Sequence, residues 1–338
     1  MRELLRVGLI GLGAMGRIHA NNLIQHIPNV DLVAVADPHI HAIEDREFSL
    51  PKTVRRFVDY RDMLGLEIDA YVVASATNTH QWILETLLPS KAAIFCEKPL
   101  ATSLEDAIAI HRALTTQGIA IQVGFMRRFD PLYQRAKELI DAGEIGRPYH
   151  YWGLSRDQFA PPVDTVATSG GFCVDTGVHE FDMAQWLLGD SIASVFARGG
   201  LFVSRELAAL NDYDQVDISF QTQDGRLGLV ELSRNAIYGY DIRTEILGER
   251  GAIQVVSGPR TNTVLLLENR VVSDTYRNYA ERFETAYRQQ LIAFFEAVRS
   301  GAECPVTGWD AIRAQAVAMA AQRALDSGQV QTVADIEQ

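Results

Sequence analysis

The stretch RVGLIGLGAMG, Arg6 to Gly16, decides the fold. Its first half, Arg6 to Ile10, is an apolar run of strand length. Gly11, Gly13 and Gly16 follow in G-x-G-x-x-G spacing, and Ala14 to Gln25 then carries a helical pattern. Three spaced glycines alone are a weak signal. Between a strand and a helix they form the dinucleotide-binding fingerprint, completed by an acidic residue about 20 positions further on. Asp37 stands there, at the end of a second strand that begins at Val30. Gly11 permits the tight turn, Gly13 lets the backbone approach a pyrophosphate, and Gly16 lets helix and strand pack closely. Ala14 and Met15 open the helix, whose first amides and partial positive charge favour an anion. Asp37 accepts hydrogen bonds from ribose hydroxyls and repels a 2′-phosphate. The expected cofactor is therefore NAD rather than NADP.

Working outward, the first third alternates apolar runs with helical patterns. Strands are expected near Lys52 to Phe57, Asp69 to Ser75, Ala92 to Glu97 and Gly118 to Phe125. Helices are expected over His80 to Leu88 and after a cap at Thr102 or Ser103. Runs apolar throughout, separated by helices, signal a parallel sheet covered on both faces, a doubly wound α/β Rossmann domain. After Phe125 the pattern changes. A helix over Pro131 to Ala142 precedes a strand, RPYHYWGLSRD, and another helix, HEFDMAQWLL. Three hairpins follow, the first turning at Asp224-Gly225, a strong hairpin cue. Two helices close the chain, one over Glu281 to Arg299 and one capped by Thr307 with Asp310 three residues on. Strands in succession followed by helices indicate an α+β domain with a large, mostly antiparallel sheet. The expected domains are residues 1–125, binding cofactor, and 126–338, binding substrate and carrying oligomer contacts.

Composition narrows the function. The 338 residues are 47% hydrophobic and 22% charged, with a formal net charge of −12. Nucleic acid and anionic membranes require basic patches, so neither is an expected partner. No apolar run is long enough to span a membrane. The N-terminus lacks the pattern of a signal peptide, which points to the cytoplasm. Cys96, Cys173 and Cys304 are scattered, and they read as free thiols, Cys173 in a packing role.

Two constellations carry candidate chemistry. Glu97-Lys98-Pro99 ends the fifth strand, where a Rossmann sheet binds its ligands. On position alone, an ordinary surface ion pair would read the same way. Asp175 and His179 lie four residues apart, on one face if the helix begins that early. A carboxylate beside a histidine fixes its tautomer and stabilises the imidazolium. A satisfied structural pair would look alike. Asp182 could join them at a metal, but no third ligand has convincing spacing, and no metal is expected.

These residues resemble the Gfo/Idh/MocA oxidoreductases and, within them, the inositol 2-dehydrogenase branch. The resemblance spans nearly the whole chain: GLIGLGAMGRIHANNL, CEKPLA, VGFMRRFD, SRDQFAPP, DTGVHEFDMA, YGYDIRTEILGERGAI and RFETAYRQQLIAF. It implies NAD-dependent oxidation of a ring hydroxyl of a cyclic polyol, myo- or scyllo-inositol, to the ketone, in a cleft between the domains. It also implies a dimer or tetramer formed through the second sheet. Carried over by position, the catalytic residues are Lys98, Asp175 and His179. Glu97 binds cofactor or holds the lysine loop, and the Lys98–Pro99 bond is cis. Arg127, Asp157 and Tyr240 contact substrate. Some inositol dehydrogenases carry His-Arg-Asn where this chain has Ser155-Arg156-Asp157, so the polyol itself is left open. An aldose, an aminocyclitol or another sugar derivative is the alternative substrate, and an NAD-binding regulator without turnover is the alternative function.

Overall fold

The computed structural model describes residues 4–43 and 48–336, so the outermost ends of the two expected domain ranges, residues 1–3 and 337–338, lie outside it. Two compact units are present: Met1–Phe129 with Thr285–Ile312, and Asp130–Glu284 with Arg313–Gln338.

In the first unit, β1 (Leu5–Ile10), β2 (Val30–Ala36), β3 (Arg55–Phe57), β4 (Ala70–Val73), β5 (Ala93–Cys96) and β6 (Ile121–Val123) form one sheet in the order β3-β2-β1-β4-β5-β6. All five pairings are parallel. Strands β4, β5 and β6 are buried at every residue, as a sheet covered on both faces requires. The connecting helices are α1 (Ala14–Gln25), the short α2 (Ile40–Ile43), α3 (His80–Leu87) and α4 (Leu104–Thr116). Ser103, not Thr102, caps α4, its hydroxyl accepting from the Asp106 amide at 3.0 Å.

The division differs from a single cut at 125/126. It falls after Phe129, and a later segment returns to the first unit. Leu291, Phe294 and Phe295 join Val7, Leu9 and Phe95 in one hydrophobic core, with the Phe95 and Phe294 rings 5.9 Å apart edge to face. Each such side chain stabilises the unit by about 1.5–3 kcal/mol through burial, so the core captures the helix despite its distance in sequence.

In the second unit, α5 (Pro131–Asp141) leads to β7 (Pro148–Arg156). The short α6 (Val163–Thr168) precedes a π-helical turn, Cys173–Gly177, which runs directly into α7 (Val178–Leu188). Then come β8 (Ile192–Gly200), β9 (Gln215–Thr222), β10 (Leu227–Ser233), β11 (Asp241–Gly248), β12 (Gly251–Val256), β13 (Val264–Leu267) and β14 (Arg270–Ser273). The chain ends with α8 (Tyr279–Arg282), α9 (Glu284–Ser300), α10 (Gly308–Ser327) and β15 (Gln331–Thr332). Seven strands form one sheet in the order β12-β11-β7-β10-β9-β8-β15. Only β7 and β10 pair parallel. The expected hairpins are β9–β10, β11–β12 and β13–β14, with Gly225 at φ +83° in the first turn. The alternating burial of β9 and β10 gives this sheet an apolar inner face, while the outer face mixes polar residues of β9 with Leu227 and Leu229 of β10. Strands β8 and β15 had no expectation in the sequence.

Candidate active site

Gly11 sits at φ +93°, and a Cβ there would come within 2.6 Å of the Ala74 carbonyl oxygen. A Cβ on Gly16 would run into the Gly11 carbonyl. These two glycines are required by the chain itself. Gly13 is different: beyond its chain neighbours, nothing among the described residues lies within 4 Å of where its Cβ would be. The space in front of it opens into a cavity of about 940 Å³, lined by Gly11, Gly13, Ala14, Met15, Asp37, Glu97 and Lys98 among others. The N-cap of α1 is Gly13, which brings no capping side chain, so the helix's first amides and their positive partial charge are left to this space. Asp37 accepts from the Leu12 amide and the His39 amide, both at 2.7 Å, which fixes its carboxylate at the cavity edge. A carboxylate offers about four acceptor sites, so two backbone bonds leave capacity for a diol. The residues thus fit a dinucleotide: an uncapped helix end for the pyrophosphate and a fixed carboxylate for the ribose.

Lys98 lies half-buried at the end of β5, in the same cavity, and the Lys98–Pro99 bond is cis, as the resemblance implied. Two histidines brace this loop. Nε2 of His19, on α1, lies 2.7 Å from Oε1 of Glu97, and the His19 ring packs edge-on against Phe95 and Tyr287. A Cβ on Gly124 would come within 2.8–2.9 Å of the same carboxylate, so Glu97 is held on both sides. His80 lies with Nδ1 2.7 Å from the Pro99 carbonyl and Nε2 3.1 Å from the Ser75 carbonyl. Burial pushes its imidazole pKa down, opposed by the two carbonyls. Arg127 and Arg128 follow β6 on a 3-10 turn. They are 1% and 9% exposed, so neither is a solvated surface charge. Arg128 binds Asp310 at 3.2 Å.

In the second unit, Asp175 lies in the π turn and His179 in the first turn of α7, both half-buried on one continuous helical segment. The regular i, i+4 α-helical relation expected of them is replaced by a turn with i→i+5 bonding, a feature common at functional sites. Asp157 directly follows β7. Asp241 pairs with Arg156, so Tyr240 and Asp157 are the next neighbours along the β7–β11 ladder, at one end of the sheet. Tyr240 is buried with its ring edge-on to Phe283 at 6.3 Å. Burial pushes the Cys173 thiol up to about 12, so it stays protonated and packs. Among the described residues, no group of three His, Cys, Asp or Glu is placed to hold a metal, and no helix is long and apolar enough to cross a membrane.

A fingerprint Rossmann unit with a lysine at its cofactor cavity, followed by an α+β unit, is the plan of a nicotinamide-dependent oxidoreductase. The chain belongs to the Gfo/Idh/MocA oxidoreductase family: residues 5–125 match its NAD-binding Rossmann fold and residues 137–334 its C-terminal alpha/beta domain. It is 36% identical over 330 residues to the scyllo-inositol 2-dehydrogenase (NAD(+)) of Bacillus subtilis, covering 97% of this chain and 96% of that one. It is 34% identical over 327 residues to the myo-inositol 2-dehydrogenase of Thermotoga maritima, covering 95% and 96%. The structure of scyllo-inositol dehydrogenase from Lactobacillus casei with bound NAD(H) and scyllo-inositol superposes with a TM-score of 0.91 at 27% identity, covering 98% and 100%.

Proposed function

We propose that this chain oxidises one ring hydroxyl of a cyclic polyol, myo- or scyllo-inositol, to the ketone. The observation that carries the reading is the placement of Lys98 in the same cavity as the glycine loop and Asp37. The full-length similarity to inositol dehydrogenases supports the substrate class. NAD⁺, which Gly11, Gly13 and Asp37 would hold in this cavity, would supply the hydride acceptor for the carbinol carbon. His179 takes the hydroxyl proton, with Asp175 stabilising the imidazolium. Lys98, cationic, holds the same oxygen and stabilises the charge that develops as the hydride leaves. The two electrons of the C–H bond leave as hydride, the proton leaves the oxygen, and a C=O bond remains. Arg127, Asp157 and Tyr240 bind the other hydroxyls.

The test is a panel of myo-inositol, scyllo-inositol, aminocyclitols, aldoses and acyclic alcohols, scored as kcat/KM with NAD⁺ and NADP⁺ separately. The reading expects cyclitols with NAD⁺ to lead. Activity confined to acyclic alcohols, or cofactor binding with no turnover of any compound, would overturn it. Lys98→Met and His179→Ala are expected to lower kcat by about 10²-fold or more, the usual size of a general acid–base contribution. His179→Ala with kcat retained at saturating substrate would remove the proton-acceptor role.

We further propose a cytoplasmic homo-oligomer, a tetramer or dimer, joined through the outer face of the seven-stranded sheet. Leu227 and Leu229 are about half exposed on β10, and Trp152, Phe196 and Leu229 line a groove of about 420 Å³ there. Three buried free thiols suit a reducing compartment. Sedimentation of wild type against Leu229→Glu tests the interface, with dissociation of the variant expected.

A further inference from the structure

Glu180 follows the proposed proton acceptor directly and is fully buried, yet the mechanism makes no use of it. Its carboxylate accepts from the Tyr151 hydroxyl and from the Ser155 hydroxyl, both at 2.6 Å. Tyr151, Gly153 and Ser155 are alternate residues of β7 and so share one face of the strand. A Cβ on Gly153 would overlap the Glu180 carboxylate and also come within 2.8 Å of the Tyr151 hydroxyl oxygen. The strand is therefore shaped around this one side chain: a donor on either side and a gap between them. Burial and the carboxylate together push the Tyr151 phenol well above its usual range, which keeps its proton in place as a donor.

A buried carboxylate is a costly way to pack a helix on a sheet, since an apolar side chain would do so without desolvating a charge. What two directed hydrogen bonds add is register: apolar contacts tolerate sliding and rotation, whereas a carboxylate between two hydroxyls does not. Helix α7 needs such a fix. It continues from a π turn, whose i→i+5 bonding departs from the regular α-helical register just before it. The clamp lies one residue after His179 on the helix and, at Ser155, two residues before Asp157 on the strand.

We propose that Glu180 is a positioning residue. Held between Tyr151 and Ser155, it sets the first turn of α7 on β7 and thereby fixes His179 relative to the polyol-contacting end of that strand. This rests on the assignment of His179 as proton acceptor. The variants are Glu180→Ala, which removes the clamp, Glu180→Gln, which keeps its shape and one acceptor, and Tyr151→Phe with Ser155→Ala, which removes only the donors. Glu180→Ala and the double variant are expected to lower kcat about tenfold or more, because displacements near 1 Å cost on that scale, with KM for polyol and Kd for NAD⁺ within about threefold. Glu180→Gln is expected to recover most of the rate. A fall in melting temperature with kcat unchanged overturns the proposal, as does a Gln variant as slow as Ala. Should Glu180→Ala fail to fold, the milder double variant decides. A second readout needs no turnover: the imidazole ¹⁵N signals of His179 in the ligand-free protein. They are expected to move in the Tyr151/Ser155 double variant, whose changes lie on the strand. Unmoved signals overturn the proposal even if no polyol is oxidised, whereas absence of wild-type turnover with moved signals counts against the inositol reading alone.

Discussion

His80 shows how one side chain can hold the loop that carries Lys98. A neutral imidazole has a single N–H, so only one of its two carbonyl neighbours receives a hydrogen bond. The shorter approach, 2.7 Å from Nδ1 to the Pro99 oxygen, marks the loop as the bonded side. Lys98 is the residue before that proline. Replacing His80 by Ala is expected to lower kcat about tenfold, as supporting groups do when the geometry they set is lost. His80→Asn, which keeps a donor, is expected to recover part of the rate in the same steady-state assay. Unchanged kcat in His80→Ala would remove His80 from the support of the lysine. Asp37 makes the complementary prediction about cofactor. Hydrogen bonds to a charged group are worth about 1.5–3 kcal/mol, so Asp37→Ser should lower the NAD⁺ over NADP⁺ ratio of kcat/KM by at least about tenfold. Preference for NADP⁺ in the wild type would contradict the role given to this carboxylate. Asp37 was legible because its partners form a local motif of known spacing. His80, 19 residues from Pro99, and His19, 78 residues from Glu97, were not: nothing in a linear pattern says which loop a helix will face.

Among the elements, the helix starts were the most legible part of the chain, because caps are made by neighbours. Thr307 and Asp310 form the expected reciprocal cap on α10: the Asp310 carboxylate accepts from the Thr307 amide at 2.8 Å, and the Thr307 hydroxyl from the Asp310 amide at 3.3 Å. The π turn before α7 was not legible, since its wider hydrogen bonding leaves no side-chain signature. Asp130 combines a local and a distant role. It caps α5, accepting from the Leu132 amide at 3.0 Å, and it holds Arg282 of α8 at 2.6 Å, both groups buried. Arg282 Nε also donates to the Ser257 hydroxyl at 2.7 Å. Two helix variants should therefore differ sharply. Thr307→Ala loses a cap, typically about 1 kcal/mol. Asp130→Ala leaves the Arg282 charge buried without its carboxylate, a loss of about 3–5 kcal/mol. Denaturant melts of both variants check the contrast, and an Asp130→Ala no weaker than Thr307→Ala would mean that Arg282 finds another partner.

At the scale of the whole molecule, the order of elements was readable but the course of the chain was not. The amphipathic pattern of α9 says that one face is buried, not in which core, and the aromatic cluster around Phe95 decides that. The same cores make stability depend on pH. His80 and His111 are both buried, and burial pushes both imidazoles below their ordinary value of 6.5. His111 makes no hydrogen bond at either ring nitrogen among the described residues and packs edge-on to Trp309 at 4.7 Å, while the Asp310 charge pulls its pKa back upward. Folded, each ring resists the proton; unfolded, each takes one up below about pH 6.5. The unfolded chain then binds more protons, so stability is full above that pH and falls as pH drops from 6.5 through the lowered folded value, by up to about 1.4 kcal/mol per pH unit for each ring. Carboxylates titrate mainly below this window. The melting temperature is thus expected to fall between pH 7 and pH 5. His111→Phe keeps an aromatic ring against Trp309 and cannot take up the proton, so its melting temperature should fall less over the same range. Equal slopes for variant and wild type would show that His111 is protonated in the folded protein as readily as in the unfolded chain.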